Sequence, residues 1–249
     1  LGPRARELGA RIIFVDDGSK DGTYEAIQEH RDGLHLAVVR HPVNRGLGTA
    51  INSGLRAAIG ESQDGDAIVT LEADNTSDLD DLPAMLGKFN QGADVVLASV
   101  YAPGGRIVGV APWRIAASKA VSNTFRYVGG LQEMHTLSSL YRVYRAGTLR
   151  RAAETYGWLL VREPGFAANV ELLLKLYNAG ATVSEVATVN DWSRRLGVSK
   201  MNTKRTVVAY GRVMAAHIVG RIQPPPLSPL GADAPAALEA PAAPRQLEQ

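Results

Sequence analysis

Ala67-Ile-Val-Thr-Leu-Glu-Ala-Asp-Asn-Thr-Ser-Asp-Leu-Asp-Asp-Leu-Pro83 is the stretch whose reading decides the fold. The apolar run Ala67 to Leu71 predicts a short buried strand. It ends on Glu72-Ala73-Asp74, passes through Asn75, Thr76 and Ser77, and reaches a helical pattern that starts at Leu79. Successive strand side chains point to opposite faces, so Glu72 and Asp74, two residues apart, leave the strand end on one side. Two carboxylates converging at the carboxyl end of a strand suit a hard divalent cation that must also hold a phosphate. The same residues also suit a plain turn that caps the next helix, with Asp78 to Asp81 as solvated acid. On this stretch alone both readings stay open.

Working outward, Arg11 to Val15 is a second apolar run and a second buried strand. It stops at the turn cluster Asp16-Asp17-Gly18-Ser19-Lys20-Asp21-Gly22-Thr23, where Asp21 or Thr23 can cap a helix carrying Tyr24, Ala26 and Ile27. A third strand follows over Leu34 to Val39 and is broken by His41-Pro42. Asn44-Arg-Gly-Leu-Gly-Thr-Ala-Ile-Asn-Ser-Gly54 then leads into a helix through Ala58. This is neither a Walker loop nor a complete GxGxxG. Gly46 and Gly48 permit close approach of a ligand to the backbone, or simply of the helix to its neighbours. Alternating strands and helices predict an α/β fold with a mostly parallel sheet and helices on both faces. Ligands of such sheets bind outside the carboxyl ends of the strands, where Asp16-Asp17 and Glu72-Ala73-Asp74 both fall.

Val15-Asp-Asp-Gly-Ser19 with Asp21-Gly-Thr23, Asn44-Arg-Gly-Leu-Gly48 with Ala50 and Asn52, and Glu72-Ala-Asp74 resemble, in this order, the family 2 glycosyltransferases of the GT-A fold. The chain is most similar to their dolichol-phosphate and polyprenyl-phosphate mannose synthase branch. Ser138-Ser-Leu-Tyr-Arg-Val-Tyr-Arg145 resembles that family's Thr-Ser-Gly-Phe-Arg-x-Tyr segment, and Arg194-Arg-Leu-Gly-Val-Ser-Lys200 its loop over the donor phosphates. The resemblance implies a metal-dependent transferase that moves a sugar from a GDP- or UDP-linked donor to a polyprenyl phosphate or related acceptor. It further implies that Asp16 and Asp17 contact the nucleoside and that Asn44 and Gly46 belong to the nucleotide site. Glu72 and Asp74 would hold Mg²⁺ or Mn²⁺, Arg142 would meet the acceptor or the diphosphate, and Arg194 and Lys200 would meet the diphosphate. Asp74 and Arg142 are the catalytic candidates. The chain departs from the family pattern at five places, one of them Leu140, where the family commonly has Gly. The family's first strand has no counterpart, so the resemblance implies an N-terminally truncated GT-A sheet. Glu72 stands for an Asp, and Val100 and Thr136 stand for charged residues. A second reading from a different class is a non-catalytic binding protein on this scaffold.

Composition bounds these readings. A chain of 249 residues that is 45% hydrophobic can bury a sizeable core. A net charge of +2 with pI near 8.9 is too balanced to suggest nucleic acid as a partner. With no cysteine, disulfides, zinc-thiolate sites and thiol catalysis are excluded. No apolar run reaches the length of a membrane span. The resemblance implies a cytoplasmic location, peripheral on the cytoplasmic membrane face. The five histidines form no metal-ligand pair and read as ordinary surface or loop residues.

Further along, Ala93 to Ser99 predicts a buried strand, Tyr101 to Gly105 a flexible loop, Trp113 to Tyr127 a long helix, and Thr182 to Val189 another strand. Gly165 to Gly180 predicts a helix with Leu172, Leu173 and Leu176 in the core and Glu171 at the surface. From Trp192 to Arg221 there is no acidic residue. There Arg194, Arg195 and Lys200 read as phosphate ligands in a loop. Lys204, Arg205 and Arg212 read as the polar side of a helix that lies on an anionic membrane or docks on its own domain. Residues 1–222 are expected to form the GT-A-like domain, and 223–249, with seven prolines, a disordered Pro/Ala-rich tail.

Overall fold

The structure, a computed structural model, describes residues 1–31, 33–195 and 203–222. The expectation for the tail 223–249 lies outside the described residues. In chain order the elements are α1 (Gly2–Glu7), β1 (Ile12–Asp16), α2 (Thr23–Glu29), β2 (Leu36–Arg40), α3 (Leu47–Glu61), β3 (Ala67–Thr70), α4 (Leu82–Asn90) and β4 (Val95–Ser99). They continue with β5 (Arg106–Val108), α5 (Pro112–Tyr127), β6 (Arg142–Arg145), α6 (Ala146–Tyr156), α7 (Ala168–Asn178), β7 (Val183–Ala187), β8 (Val189–Asp191) and α8 (Thr203–Ile218). The strand-helix alternation of the first half is that of an α/β protein.

Three sheets are formed among the described residues. β1 and β2 pair in parallel, β5 and β8 pair in parallel, and the central sheet has the order β3-β6-β4-β7. In that sheet β7 runs parallel to β4, whereas β6 runs antiparallel to both β3 and β4. The centre of the sheet is therefore mixed.

β4 shows why helices cover both faces. All five of its residues are buried. Val95 and Leu97 pack into a cluster with Leu55 and Ile59 of α3, Leu149 of α6 and Leu172 of α7. Val96 and Ala98 pack the other way, onto Leu82, Met85 and Phe89 of α4. A strand buried on both sides must be apolar throughout, which is how Val95 to Ala98 reads.

Several expectations change. Thr182 to Val189 divides between β7 and β8, which belong to different sheets. The break is at buried Thr188, whose N–H donates to Ser99 O and whose carbonyl accepts from Arg106. The loop after Tyr101 contains β5. Glu171 is buried, not at the surface: Lys175 Nζ lies 2.7 Å from its Oε1, and Arg162 and Glu163 N–H both donate to its Oε2 at 2.8 Å. Arg212, still largely exposed on α8, pairs with Glu163 at 3.0 Å.

Candidate active site

β3 delivers the two carboxylates. Past its last residue Thr70, the chain turns through Asn75, which sits at φ 62°, a left-handed conformation that Asn tolerates better than most residues. Asp74 makes this turn by accepting from both Thr76 N–H at 3.1 Å and Thr76 Oγ1 at 2.7 Å through Oδ1. Its other oxygen, Oδ2, faces Arg195 Nη1 at 3.4 Å. Burial pushes the Glu72 carboxyl up to about 7; the Asp74 charge pushes in the same direction, and Arg195 opposes them. Glu72 and Asp74 thus form a close acidic pair that needs a positive neighbour, and Arg195 supplies part of it. Arg195 also lies over the Trp192 ring, 5.2 Å from its centroid, which fixes its direction.

At the end of β1, Asp16 is buried and accepts from Ser19 N–H at 2.9 Å. Its second oxygen has no hydrogen bond, although Arg40 Nε stands 3.4 Å away. Asp17 is engaged within the protein. It accepts from His41 Nδ1 at 2.6 Å and from the N–H groups of Arg45 and Gly46 at 3.0 and 2.8 Å. Burial raises its pKa, but these hydrogen bonds outweigh it and hold the carboxyl below its ordinary value. His41 is buried and also meets Ser53 Oγ at 2.9 Å, so it is no ordinary loop histidine. Sequence reasoning passed over His41; the one signal was its place before Pro42, just past the end of β2.

The glycine-rich segment is set by packing. A Cβ on Gly48 would collide with the Glu163 carbonyl, and one on Gly46, at φ 92°, would lie 2.6 Å from Pro164 O. Asn52 staples the same loop, donating to Val161 O at 2.8 Å and accepting from Val161 N–H at 3.0 Å. Asn44 is exposed at the start of the segment.

Arg142 stands on β6 opposite Thr70 of β3 and Leu97 of β4, and it is fully buried at 0% exposure. Its guanidinium donates to Asn169 O at 2.8 Å, Leu137 O at 2.6 Å and Tyr144 Oη at 3.3 Å, leaving Nε without a partner. In this structure Arg142 is thus held by neutral oxygens beneath the site and is not presented to solvent. Thr136 accepts from Ser99 Oγ at 2.9 Å and Tyr101 N–H at 3.2 Å, a neutral arrangement that fits Val100 beside it. Arg194 turns to Asp191 at 3.4 Å. Of the two adjacent arginines, Arg195 is the one at the acidic pair. Lys200 lies outside the described residues.

Glu72, Asp74 and Arg195 stand on the wall of a cavity of about 1190 Å³, which continues past Trp113 and Val121 of α5 and Val207 and Tyr210 of α8. Burial pushes the Tyr210 phenol up to about 12, so it remains protonated at neutral pH. Among the described residues no group of three or more metal-ligating side chains occurs. The pair Glu72–Asp74 nevertheless fits a hard divalent ion that takes only two protein carboxylates and completes its shell with phosphate and water. No helix among the described residues is long and apolar enough to cross a membrane.

Residues 5–152 match the family model of glycosyl transferase family 2. The chain is 30% identical over 214 residues to polyprenol monophosphomannose synthase of Mycolicibacterium smegmatis, covering 85% of this chain and 77% of that protein. It is also 30% identical over 100 residues to dolichol-phosphate mannosyltransferase of Pyrococcus furiosus, covering 40% of this chain but 27% of that protein. Among solved structures, glucosyl-3-phosphoglycerate synthase of Mycobacterium tuberculosis in complex with Mn²⁺, uridine diphosphate and glucosyl-3-phosphoglycerate superposes with a TM-score of 0.56. The identity is 18%, over 86% of this chain and 70% of that one. TarS of S. aureus in complex with UDP-GlcNAc superposes equally well, over 58% of its chain. The fold is therefore GT-A-like, with its acidic strand end on the wall of the large cavity, and the chain belongs to glycosyl transferase family 2.

Proposed function

We propose that this transferase moves a sugar from a nucleoside-diphosphate donor to a polyprenyl phosphate, with Glu72 and Asp74 holding Mg²⁺ or Mn²⁺ on the diphosphate. The observation that carries the reading is the acidic pair Glu72–Asp74 with Arg195 Nη1 at 3.4 Å, on the wall of a cavity that reaches α5 and α8. A divalent cation held there supplies Lewis-acid stabilisation of the charge that grows on the departing diphosphate. Arg195 is placed to exchange its contact with Asp74 for one with a diphosphate oxygen, and Trp192 limits how far it can swing. Asp16 keeps one buried oxygen without a hydrogen bond at the end of β1, which suits a donor group of the nucleoside. Asp17 acts one step back, by holding the Arg45–Gly46 turn.

The acceptor phosphate is already an anion, so its oxygen can attack the anomeric carbon without a general base. The new bond forms from that oxygen, and the electron pair of the broken bond leaves on the diphosphate. The acceptor side of the reading is supported by α5 and α8, which meet through Phe125 and Tyr210 with ring centroids 6.5 Å apart. Both helices carry large exposed apolar residues, Trp113 on α5 and Val207 and Val208 on α8. Such a face suits the surface of a membrane that holds the lipid acceptor. The relative in Mycolicibacterium smegmatis is named for a polyprenol product, which supports the same reading.

The test is transfer of labelled sugar from GDP-mannose or a UDP-linked sugar to polyprenyl phosphate, with Mn²⁺ and with chelator. The reading predicts label in the lipid extract with Mn²⁺ alone, and slow release of free sugar when the lipid is omitted. Neither transfer nor metal-dependent hydrolysis with any donor would overturn it and leave a non-catalytic binding protein.

A further inference from the structure

His41 joins three elements. Its backbone N–H donates to Asp16 O at 2.9 Å, one residue past the end of β2, and so extends the pairing of β2 with β1. Its ring Nδ1 lies 2.6 Å from Asp17 Oδ1, and its Nε2 lies 2.9 Å from Ser53 Oγ of α3. The Asp17 carboxyl, held below its ordinary value, is ionised at neutral pH and can only accept. Nδ1 therefore carries a proton in either charge state of the ring. Burial holds the ring in this direction, with His41 only 6% exposed.

Aspartate, histidine and serine bonded in this order match a hydrolytic triad, but the surroundings do not support one. Ser53 lies mid-helix in α3, where the N–H groups around it are bonded along the helix and cannot stabilise an oxyanion. What the ring does hold is the Asp17 carboxylate and, through it, a turn. Asp17 Oδ1 also accepts from Arg45 N–H at 3.0 Å, and Oδ2 accepts from Gly46 N–H at 2.8 Å. The next residue, Gly18, touches the same segment: a Cβ there would collide with the backbone of Val43 and Asn44. Beyond the turn α3 begins, and Gly48 N–H donates to Pro164 O at 3.1 Å.

We infer that His41 is a positioning residue of the donor site: its ring locks Asp17 onto the Arg45–Gly46 turn and leaves Asp16 as the carboxylate that meets the nucleoside. Both Asp17 oxygens are bonded within the protein, whereas Asp16, one residue earlier, keeps a buried oxygen without a hydrogen bond. Without the ring, Asp17 retains its two backbone donors but loses the contact that fixes its side chain. The turn is then tied to a freer carboxylate, and that carboxylate can swing toward the ligand in place of Asp16. The ring is buried, so it acts through Asp17. This inference rests on the nucleoside-diphosphate donor proposed above.

Two measurements on the full chain test it: hydrogen exchange at the Arg45 and Gly46 amides, and calorimetric binding of GDP and UDP with Mn²⁺. His41→Leu fills the space and removes the ring donor. His41→Asn puts an amide N–H where Nδ1 stands, without the reach to Ser53. In His41→Leu, exchange at the two amides should speed up about tenfold more than at Leu173 and Leu174 of α7, which report on the whole fold. In His41→Asn it should return to within about threefold of the parent. Nucleotide affinity should follow the same order, falling about fivefold or more in His41→Leu and recovering in His41→Asn. In an Asp17→Asn chain, His41→Leu should change affinity by less than about twofold, because the two residues act as one unit. Parent-like exchange in His41→Leu, equal acceleration at α7, or a His41→Asn chain that behaves as His41→Leu does would each overturn the inference. A parent chain that binds neither nucleotide would overturn the donor reading instead, and exchange would still decide whether His41 sets the turn.

Discussion

Glu72 and Asp74 differ in how the fold holds them, and that difference is measurable. Asp74 is fixed by two hydrogen bonds from Thr76, whereas the Glu72 carboxyl is raised from its ordinary 4.5 to about 7 by burial and by its acidic neighbour. Folding therefore favours protonated Glu72. Its share of stability is full below about pH 4.5 and is lost as the pH rises through about 7. A cation bound to Glu72 must displace that proton, so Mn²⁺ affinity should fall about tenfold for each pH unit below 7 and level off above it. Titrating Mn²⁺ between pH 5.5 and 8 checks this, and Glu72→Gln should flatten the profile. The sequence singled out this pair on the expectation that two carboxylates at alternate positions leave a strand on one side, whereas both stand in the loop past Thr70, the last residue of β3. It could not show that Asp17 is spent on His41 and the Arg45–Gly46 backbone, or that Arg142 is enclosed by carbonyls. Those partners lie 24 to 29 residues away from Asp17, and 27 away from Arg142 at Asn169.

At the scale of elements, α3 offers two glycines with opposite expected effects. Gly48 packs against the backbone of Glu163, and a Cβ there has no room. Gly60 has open space, and its backbone is not in the left-handed region. Gly48→Ala should therefore destabilise the protein by about 1–3 kcal/mol through overpacking, and Gly60→Ala should stabilise it by about 0.4–1 kcal/mol. Urea denaturation of both variants decides it; equal signs would mean that the loop from Val161 to Pro164 does not pack on α3 as described. The strands that were legible are those that read as short apolar runs, β1, β3 and β4, although only β4 is buried along its whole length. β6 was not, because Arg142-Val-Tyr-Arg145 carries two arginines and reads as a motif, and only its antiparallel place between β3 and β4 makes it a central strand. β5 and β8 are three residues each, too short to show a period.

Across the whole molecule, the cavity carries the acidic pair on one part of its wall and the α5–α8 pair on another. Trp113 on α5 and Val208 on α8 are exposed by 65% and 60%. If that surface meets anionic lipid, Trp113→Ala combined with Val208→Asp should cut binding to phosphatidylglycerol vesicles about tenfold while leaving Mn²⁺ binding unchanged. Vesicle sedimentation checks the first part and calorimetry the second. The class of fold was legible from strand-helix alternation alone, because each apolar run is too short to be a helix and each is followed by a helical period. The mixed centre of the sheet was not, since strand direction depends on a return of the chain that no local pattern encodes.

The central claim is that the acidic end of β3 binds a metal-diphosphate. The most direct measurement is calorimetric binding of GDP and UDP, with Mn²⁺ and with chelator, to the parent chain, Glu72→Gln and Asp74→Asn. The account predicts binding of one nucleotide that depends on Mn²⁺. Asp74→Asn should weaken it by about tenfold or more, the loss expected for a charge-assisted contact of about 1.5–3 kcal/mol, and Glu72→Gln should weaken it less. Binding of equal strength in chelator, or an Asp74→Asn chain that binds as the parent does, would contradict it.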